Sequence, residues 1–186
     1  DSFEDFGKQF LIDNQLEGYW GSKDLLTSLI HPFDLNQIKG KEVMEVGVGA
    51  GRISKNLITF EPSKLIGIEP SAILTFRDEF ISLTRGELQG KARNLAKHTF
   101  TIEEFLAREI DRGHIRTEQF TEEKKLIKVH GHCHQKSLSS MTPTKKILSL
   151  PKNFEVHMIP SGCCGMAGSF GYEKEHYELS MKIIYP

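Results

Sequence analysis

Three cysteines in 186 residues are too few, and odd in number, for a disulfide framework. Two of them, Cys163 and Cys164, are adjacent. That usage suits a reducing compartment, where clustered thiols more often mean metal or redox chemistry, and the cytoplasm is the expected location. Surplus charge is missing too. The 24 Lys and Arg nearly cancel the 25 Asp and Glu, and a formal net charge of -1 gives no pull toward nucleic acid or an anionic membrane. No apolar run approaches the ~18 residues of a membrane span, so membrane insertion is not expected, and no signal peptide is visible. Internal repeats and low-complexity tracts are absent. No Ser–His–acid or paired-carboxylate arrangement stands out, so no catalytic base is assigned. The first residue is Asp1 rather than Met, from which we expect a piece of something longer.

What is present is an ordinary globular composition, 38% hydrophobic and 26% charged. A chain of this length buries roughly 70% of the surface its unfolded form exposes, enough for one ordinary domain. Residues 1–40 are amphipathic and rich in aromatics, including Phe3, Phe6, Phe10, Tyr19 and Trp20. They read as a helical lead-in covering one face of a sheet, with a helix over 23–30 that His31-Pro32 stops.

The pattern then alternates. Glu42 to Gly47 reads as a buried strand, Gly47 to Gly51 as a glycine loop, Arg52 to Phe60 as a helix and Leu65 to Ile68 as a second strand. Strand, loop, helix, strand is a βαβ unit with parallel strands. Ser71 is placed to cap a helix over 72–83, whose apolar face is Ile73, Leu74, Phe76, Phe80 and Leu83. The charged stretch 85–125 reads as two helical pieces, with a capping box at Thr101 to Glu104 and a helix end at Gly113. Leu126 to His130 and Phe154 to Ile159 are the third and fourth strands, each leading into a turn and a helix. The expected fold is α/β, a Rossmann-like three-layer sandwich with a mainly parallel sheet of about four strands. In such a sheet, ligands bind beyond the carboxyl ends of the strands, where the glycine loop, Glu69, Cys133 and Cys163-Cys164 all fall.

Two constellations stand on that edge. In the first, Glu45 precedes Gly47, Gly49 and Gly51, and glycines there let a backbone turn approach a ligand closely. Glu69 follows the second strand, where an acid is placed to accept hydrogen bonds from a ribose. These residues resemble the first motif and ribose position of class I S-adenosylmethionine-dependent methyltransferases. The resemblance covers residues 1–71 and implies S-adenosylmethionine binding by Glu45, the glycines and Glu69. After Ser71 neither the adenine contact nor a substrate motif of that family is found.

In the second, Cys133 closes the turn after the third strand, and Cys163-Cys164 lie between Gly162 and Gly165 after the fourth. A bent backbone there lets three thiols meet at one sheet edge, and helix N-termini after each turn would lower their pKa values. Thiolates suit an iron–sulfur cluster, zinc or iron. His130, His132 and His134 alternate around Cys133, of which only His132 and His134 rise above the background of single histidines.

This half resembles the cysteine-rich CCG domain of iron–sulfur oxidoreductases of the FAD-linked 2-hydroxyacid dehydrogenase and glycolate oxidase subunit type. The resemblance rests on Ile68 to Ser71 with Phe76 to Glu79, on His130 to Lys136, and above all on Pro160 to Gly171. It spans residues 66–186. It implies electron transfer or cluster binding with Cys133, Cys163 and Cys164 as ligands, beside a flavoprotein or iron–sulfur partner subunit. Three thiolates leave a four-coordinate site one ligand short, to be completed by a histidine, water or another chain. A further cysteine segment and an earlier half, both expected of the family, are not found, and no flavin site is visible. The two resemblances overlap at Lys64 to Ser71, so the chain reads as a hybrid whose halves, 1–71 and 66–186, merge into one domain.

Overall fold

The computed structural model describes residues 23–46, 53–166 and 170–184. Gly47, Gly49 and Gly51 of the expected glycine loop lie outside the described residues, as do Phe3, Phe6, Phe10, Tyr19 and Trp20 of the lead-in.

The α/β class with parallel pairing is borne out. The strands β1 (Glu42–Glu45), β2 (Lys64–Gly67) and β3 (Thr99–Thr101) form one sheet in that order, and β4 (Lys125–Val129) pairs with β5 (Phe154–Met158) in another. All three pairings are parallel, with Val43 opposite Leu65, Ile66 opposite Phe100, and Ile127 opposite Val156. The four expected strands are therefore divided between two short sheets, and β3 joins them as a fifth described strand.

Around the first sheet lie α1 (Lys23–Leu29), α2 (Ser54–Ile58), α3 (Pro70–Ile73), a 3-10 turn (Leu74–Arg77), α4 (Glu79–Leu83), α5 (Glu87–Lys97) and α6 (Ile102–Asp111). The expected continuous helix over 72–83 is thus broken into three pieces. Its break keeps Ile73, Leu74 and Phe76 buried while Phe80 and Leu83 stay exposed. Around the second sheet lie α7 (Cys133–Leu138), α8 (Thr142–Leu148) and α9 (Tyr177–Ile184).

Two apolar cores flank the first sheet. Leu26, Leu35, Ile38 and Leu57 form one, under α1 and α2. Leu65, Ala72, Ile73, Leu74 and Phe76 form the other, joined by Leu95 and Leu138. Gly67 is required here: a Cβ at this position would lie 2.6 Å from the Cβ of Ile73, so α3 can sit on β2 only where no side chain intervenes. Among the described residues, the second sheet has no such core. Ile127, Val129, Phe154, Val156 and Met158 are half-buried on one face, and Leu126, Lys128, Glu155 and His157 are exposed on the other.

The two sheets are joined by α6 packing on α8 and by α7 packing on α3 and the 3-10 turn. Glu104 sits at this junction. It completes the capping box with Thr101, as the sequence predicts: the Glu104 N–H donates to Thr101 Oγ1 at 3.3 Å and the Thr101 N–H donates to Glu104 Oε2 at 3.1 Å. Its carboxylate also accepts from both terminal nitrogens of Arg77, with Nη1 at 2.8 Å, and from Ser139 Oγ at 2.6 Å. Arg77 in turn donates to the Thr99 carbonyl through Nε at 3.0 Å and Nη2 at 2.6 Å. Burial pushes the Glu104 carboxyl up, but Arg77, Ser139 and the Thr101 N–H together hold it below its ordinary value.

A lowered carboxyl pKa means stability that is present above the ordinary carboxylate range and lost as pH falls through the folded-state value. We predict that Glu104→Gln destabilises the protein by about 2 kcal/mol at neutral pH, since it turns charge-assisted bonds into neutral ones. Urea unfolding across pH 3–7 checks this, and the gap from the parent must close on the acid side.

Candidate functional site

β2 runs into Ile68, Glu69 and Pro70. Pro70 begins α3, so the residue before it occupies the capping position, and Glu69 fills it. Glu69 Oε1 accepts from the Ser71 N–H at 3.0 Å and from Ser71 Oγ at 2.6 Å, and Oε2 accepts from the Ala72 N–H at 2.6 Å. The expected capping residue, Ser71, is instead a donor to the real cap. Burial pushes the Glu69 carboxyl up, but these bonds and the nearby His132 bring it below the ordinary range. Glu69 therefore has a structural use that already engages both oxygens.

Glu45 ends β1 and is likewise occupied. It is buried, and Ser54 Oγ, at the start of α2 and also buried, donates to its Oε2. Burial raises the Glu45 pKa, and the Ser54 hydroxyl opposes that rise only in part.

β4 ends at Val129 and β5 at Met158, and because they are parallel in register, their carboxyl-end turns lie side by side. The first turn carries His130 to Cys133. Cys133 is the first residue of α7, and it is exposed. The buried Gln135 of α7 donates to Thr144 Oγ1 at 3.1 Å, which seats α7 on α8. His132 lies near Glu69, and His134 Nε2 is 3.9 Å from Glu79 Oε1. The Cys133 turn therefore lies toward the end of β2 that carries Glu69, although β2 and β4 belong to two sheets and not to the single sheet edge that the sequence predicts.

The second turn carries Ser161 to Gly165, with Cys163 half-buried and Cys164 exposed. Both turns are joined: the Ser161 hydroxyl and His130 Nδ1 are hydrogen-bonded at 2.7 Å. Residues 163–166 are not helical. Gly165 adopts a φ of +74°, and a Cβ there would meet the Ser180 carbonyl oxygen at 2.7 Å. Glycine is demanded twice at this position, by the left-handed turn and by the close approach to α9. The turn aims the Gly165 N–H at Cys163 Sγ, 3.4 Å away.

That N–H is the main reason the Cys163 thiol is lowered below its ordinary value. Slight burial opposes it, and the thiols of Cys133 and Cys164 lower it further. The expected cause, a helix N-terminus after the turn, is replaced here by a backbone N–H inside the turn. Cys133 and Cys164 thus each lie near enough to Cys163 to influence its thiol. By donor type they fit a soft metal or a cluster. Among the described residues, however, no group of three or more Cys, His, Asp or Glu side chains is drawn tightly enough to enclose an ion. Cys133, at the start of α7, and Cys164 are both exposed.

Sequence reasoning passes over two contributors. Gly165 enters it only as a flank of the cysteine pair, and a left-handed turn beside a thiol is the signal that gives it a role. Lys136 stands three residues after Cys133 on one helix face, a spacing that marks a neighbour. Its ammonium donates to the carbonyls of Ser161, at 2.9 Å, and of Gly162.

Comparison with known proteins agrees with this half of the chain. Over 120 residues, 64% of the chain, it is 28% identical to a D-2-hydroxyglutarate dehydrogenase of Pantoea ananatis, and covers 11% of that protein. A D-2-hydroxyglutarate dehydrogenase of Haemophilus influenzae is 27% identical over 126 residues, 64% of the chain and 12% of the relative. One subunit of the anaerobic glycerol-3-phosphate dehydrogenase of Escherichia coli (strain K12) is 28% identical over 121 residues, again 64% of the chain, with 29% of the relative covered. The chain therefore spans less than a third of these relatives' length. They support a CCG-type, oxidoreductase-related module, and nothing in them supports the methyltransferase resemblance. No protein-family model and no solved structure matches the chain. No helix among the described residues is long and apolar enough to cross a membrane.

The lowered Cys163 pKa has a direct consequence. Alkylation of Cys163 by iodoacetamide, followed residue by residue with peptide mapping, is expected to rise at a lower pH than an ordinary thiol, whose value is 9.0. Gly165→Ala displaces the N–H and moves that rise back up. A Cys163 profile at or above the ordinary thiol value would show that the N–H contact does not persist in solution.

Proposed function

We propose that this chain is the metal- or cluster-binding module of an oxidoreductase of the 2-hydroxyacid dehydrogenase type, acting in electron transfer and not catalysing alone. Cys133, Cys163 and Cys164 are its ligands, and His132 or His134 supplies the fourth. The group they hold is an iron–sulfur cluster, or zinc or iron. It passes electrons to a flavoprotein or iron–sulfur partner subunit in the cytoplasm.

The observation that carries this reading is the parallel register of β4 and β5, which sets the Cys133 turn beside the Cys163-Cys164 turn, with the Gly165 N–H aimed at Cys163 Sγ from 3.4 Å. Thiolate is the ligand form, so a site that stabilises it before loading has fewer protons to shed on binding. The dehydrogenase relatives support the oxidoreductase setting, and their aligned length is close to that of the segment 66–186. Bound iron would supply the one-electron step. The chain's own residues contribute the thiolates, the fixed turn geometry and the exposure that lets a partner approach. Residues 1–71 form, on this reading, the other half of a merged domain. Its carboxylates Glu45 and Glu69 serve the fold, and the S-adenosylmethionine site is set aside.

Anaerobic reconstitution with iron and sulfide tests the proposal. The expected product is coloured, with iron and sulfide stoichiometric to protein, and Cys163→Ser loses most of both. A folded protein that takes up neither iron, sulfide nor zinc under these conditions overturns the reading.

A further inference from the structure

The two cysteine turns belong to different strands, and the second sheet offers them little packed core. Something must set their distance. Gly131, in the first turn, is buried, and a Cβ there would meet Met141 Sδ at 2.9 Å and Lys136 Cδ at 3.2 Å. The aliphatic stem of Lys136 therefore lies across the Cys133 turn. Its ammonium crosses to the second turn and donates to the carbonyls of Ser161 and Gly162, immediately before Cys163. Its backbone N–H donates to the His132 carbonyl at 2.9 Å, which fixes the lysine in the first turn of α7. One side chain thus touches both cysteine turns.

We propose that Lys136 is a positioning residue that sets the separation of Cys133 from Cys163-Cys164. The proposal deepens the metal-binding reading above and, for its metal arm, rests on it. An ammonium suits the task because it is a compact donor with three N–H groups and no acceptor, so it can hold two carbonyls at once. The stem covers the reach with methylenes that pass beside Gly131. The hydrogen bond between His130 and Ser161 is a second, exposed link between the same turns.

The test compares the full chain with Lys136→Met, which keeps the stem and removes the donors, and with Lys136→Arg, which restores a cationic donor. In the metal-free protein, diamide oxidises neighbouring thiol pairs to disulfides, and peptide mapping reports how fast Cys133 joins Cys163 or Cys164. Lys136→Met is expected to slow that crosslink about tenfold, the scale of a loosened alignment, and Lys136→Arg to recover most of it. The Cys163–Cys164 product, internal to one turn, keeps its rate. Cadmium titration, read by thiolate-to-metal absorbance, should weaken in parallel.

A folded Lys136→Met variant that crosslinks Cys133 at the parent rate overturns the proposal. A parent that crosslinks but binds no cadmium refutes the metal reading and leaves the crosslink arm to judge Lys136. If Lys136→Met does not fold, Gly131→Ala decides instead, because it keeps the ammonium but displaces the stem. Folded Gly131→Ala with the parent crosslinking rate likewise overturns the proposal.

Discussion

The Glu104 carboxylate is the point on which the described structure turns. It ends the loop of bonds that begins at the Thr99 carbonyl, runs through the Arg77 guanidinium and finishes at the Ser139 hydroxyl. Those residues lie on β3, the 3-10 turn after α3, α6 and the link between α7 and α8. A half-buried charge pair is best tolerated when its remaining donors and acceptors are also paired. Here the guanidinium divides its fork between one carbonyl and one carboxylate, and packs over the Phe100 ring with its centre 5.8 Å away. The carboxylate meets four donors from three elements. Because Ser139 follows directly on α7, the same knot fixes the far end of the helix that Cys133 begins.

The strand β2 carries more than its four residues suggest. It is the middle strand of its sheet, and Lys64 pairs with Glu42 across to β1 while Leu65 and Ile66 pair toward β3. Its buried side chains pack with residues that follow it. Leu65 shares a core with Ala72, Ile73, Leu74 and Phe76, and Gly67 lets Ile73 reach the strand itself. Glu69 then closes the strand by capping α3 and lies near His132 of the cysteine turn. A carboxylate that accepts two backbone N–H bonds and a hydroxyl is well satisfied, and to receive a ribose as well it would have to release some of them. The tightness of that cap is the physical argument for reading Glu69 as architecture.

Much of this is legible from the residues. The βαβ start, the β4 and β5 strands, the capping box at Thr101 and the helix end at Gly113 follow from patterns that act locally. β3 does not, because Thr99–Thr101 is three residues long, set between two helices, and takes its strand geometry only by pairing with β2. The apolar spacing over 72–83 suits one continuous helix, whereas burial of Leu74 and Phe76 against β2 draws the backbone into a tighter turn. Residue preference points to Ser71 as the cap, and Pro70 is the better guide, since proline at the first helical position marks the residue before it. The sheet division is not readable at all. Strand order is decided by which helices pack together, here α6 on α8 and α7 on α3, and no local pattern encodes that. At the site, the placement of Cys133 and of Cys163-Cys164 on neighbouring turns follows from their places at the ends of two parallel strands. The left-handed Gly165 and the reach of Lys136 do not follow, because the first is a backbone conformation set by packing against Ser180 and the second depends on a turn 25 residues away.

The two halves of the structure hold their form by different means. Around the first sheet, fully buried side chains such as Ile73, Leu74 and Phe76 supply the stabilising surface, at roughly 2 kcal/mol each. Around the cysteines, almost nothing apolar among the described residues is fully buried. The turns there are joined by Lys136, by His130 with Ser161, and by Gly165 seated against Ser180. Directional bonds specify distance more sharply than apolar contact does, and they leave the thiols at the surface. An apolar core beneath the same turns would stabilise them more, but it would also raise the Cys163 pKa and cover the sulfurs. Turns held by donors keep Cys133 and Cys164 exposed and set the Gly165 N–H against Cys163.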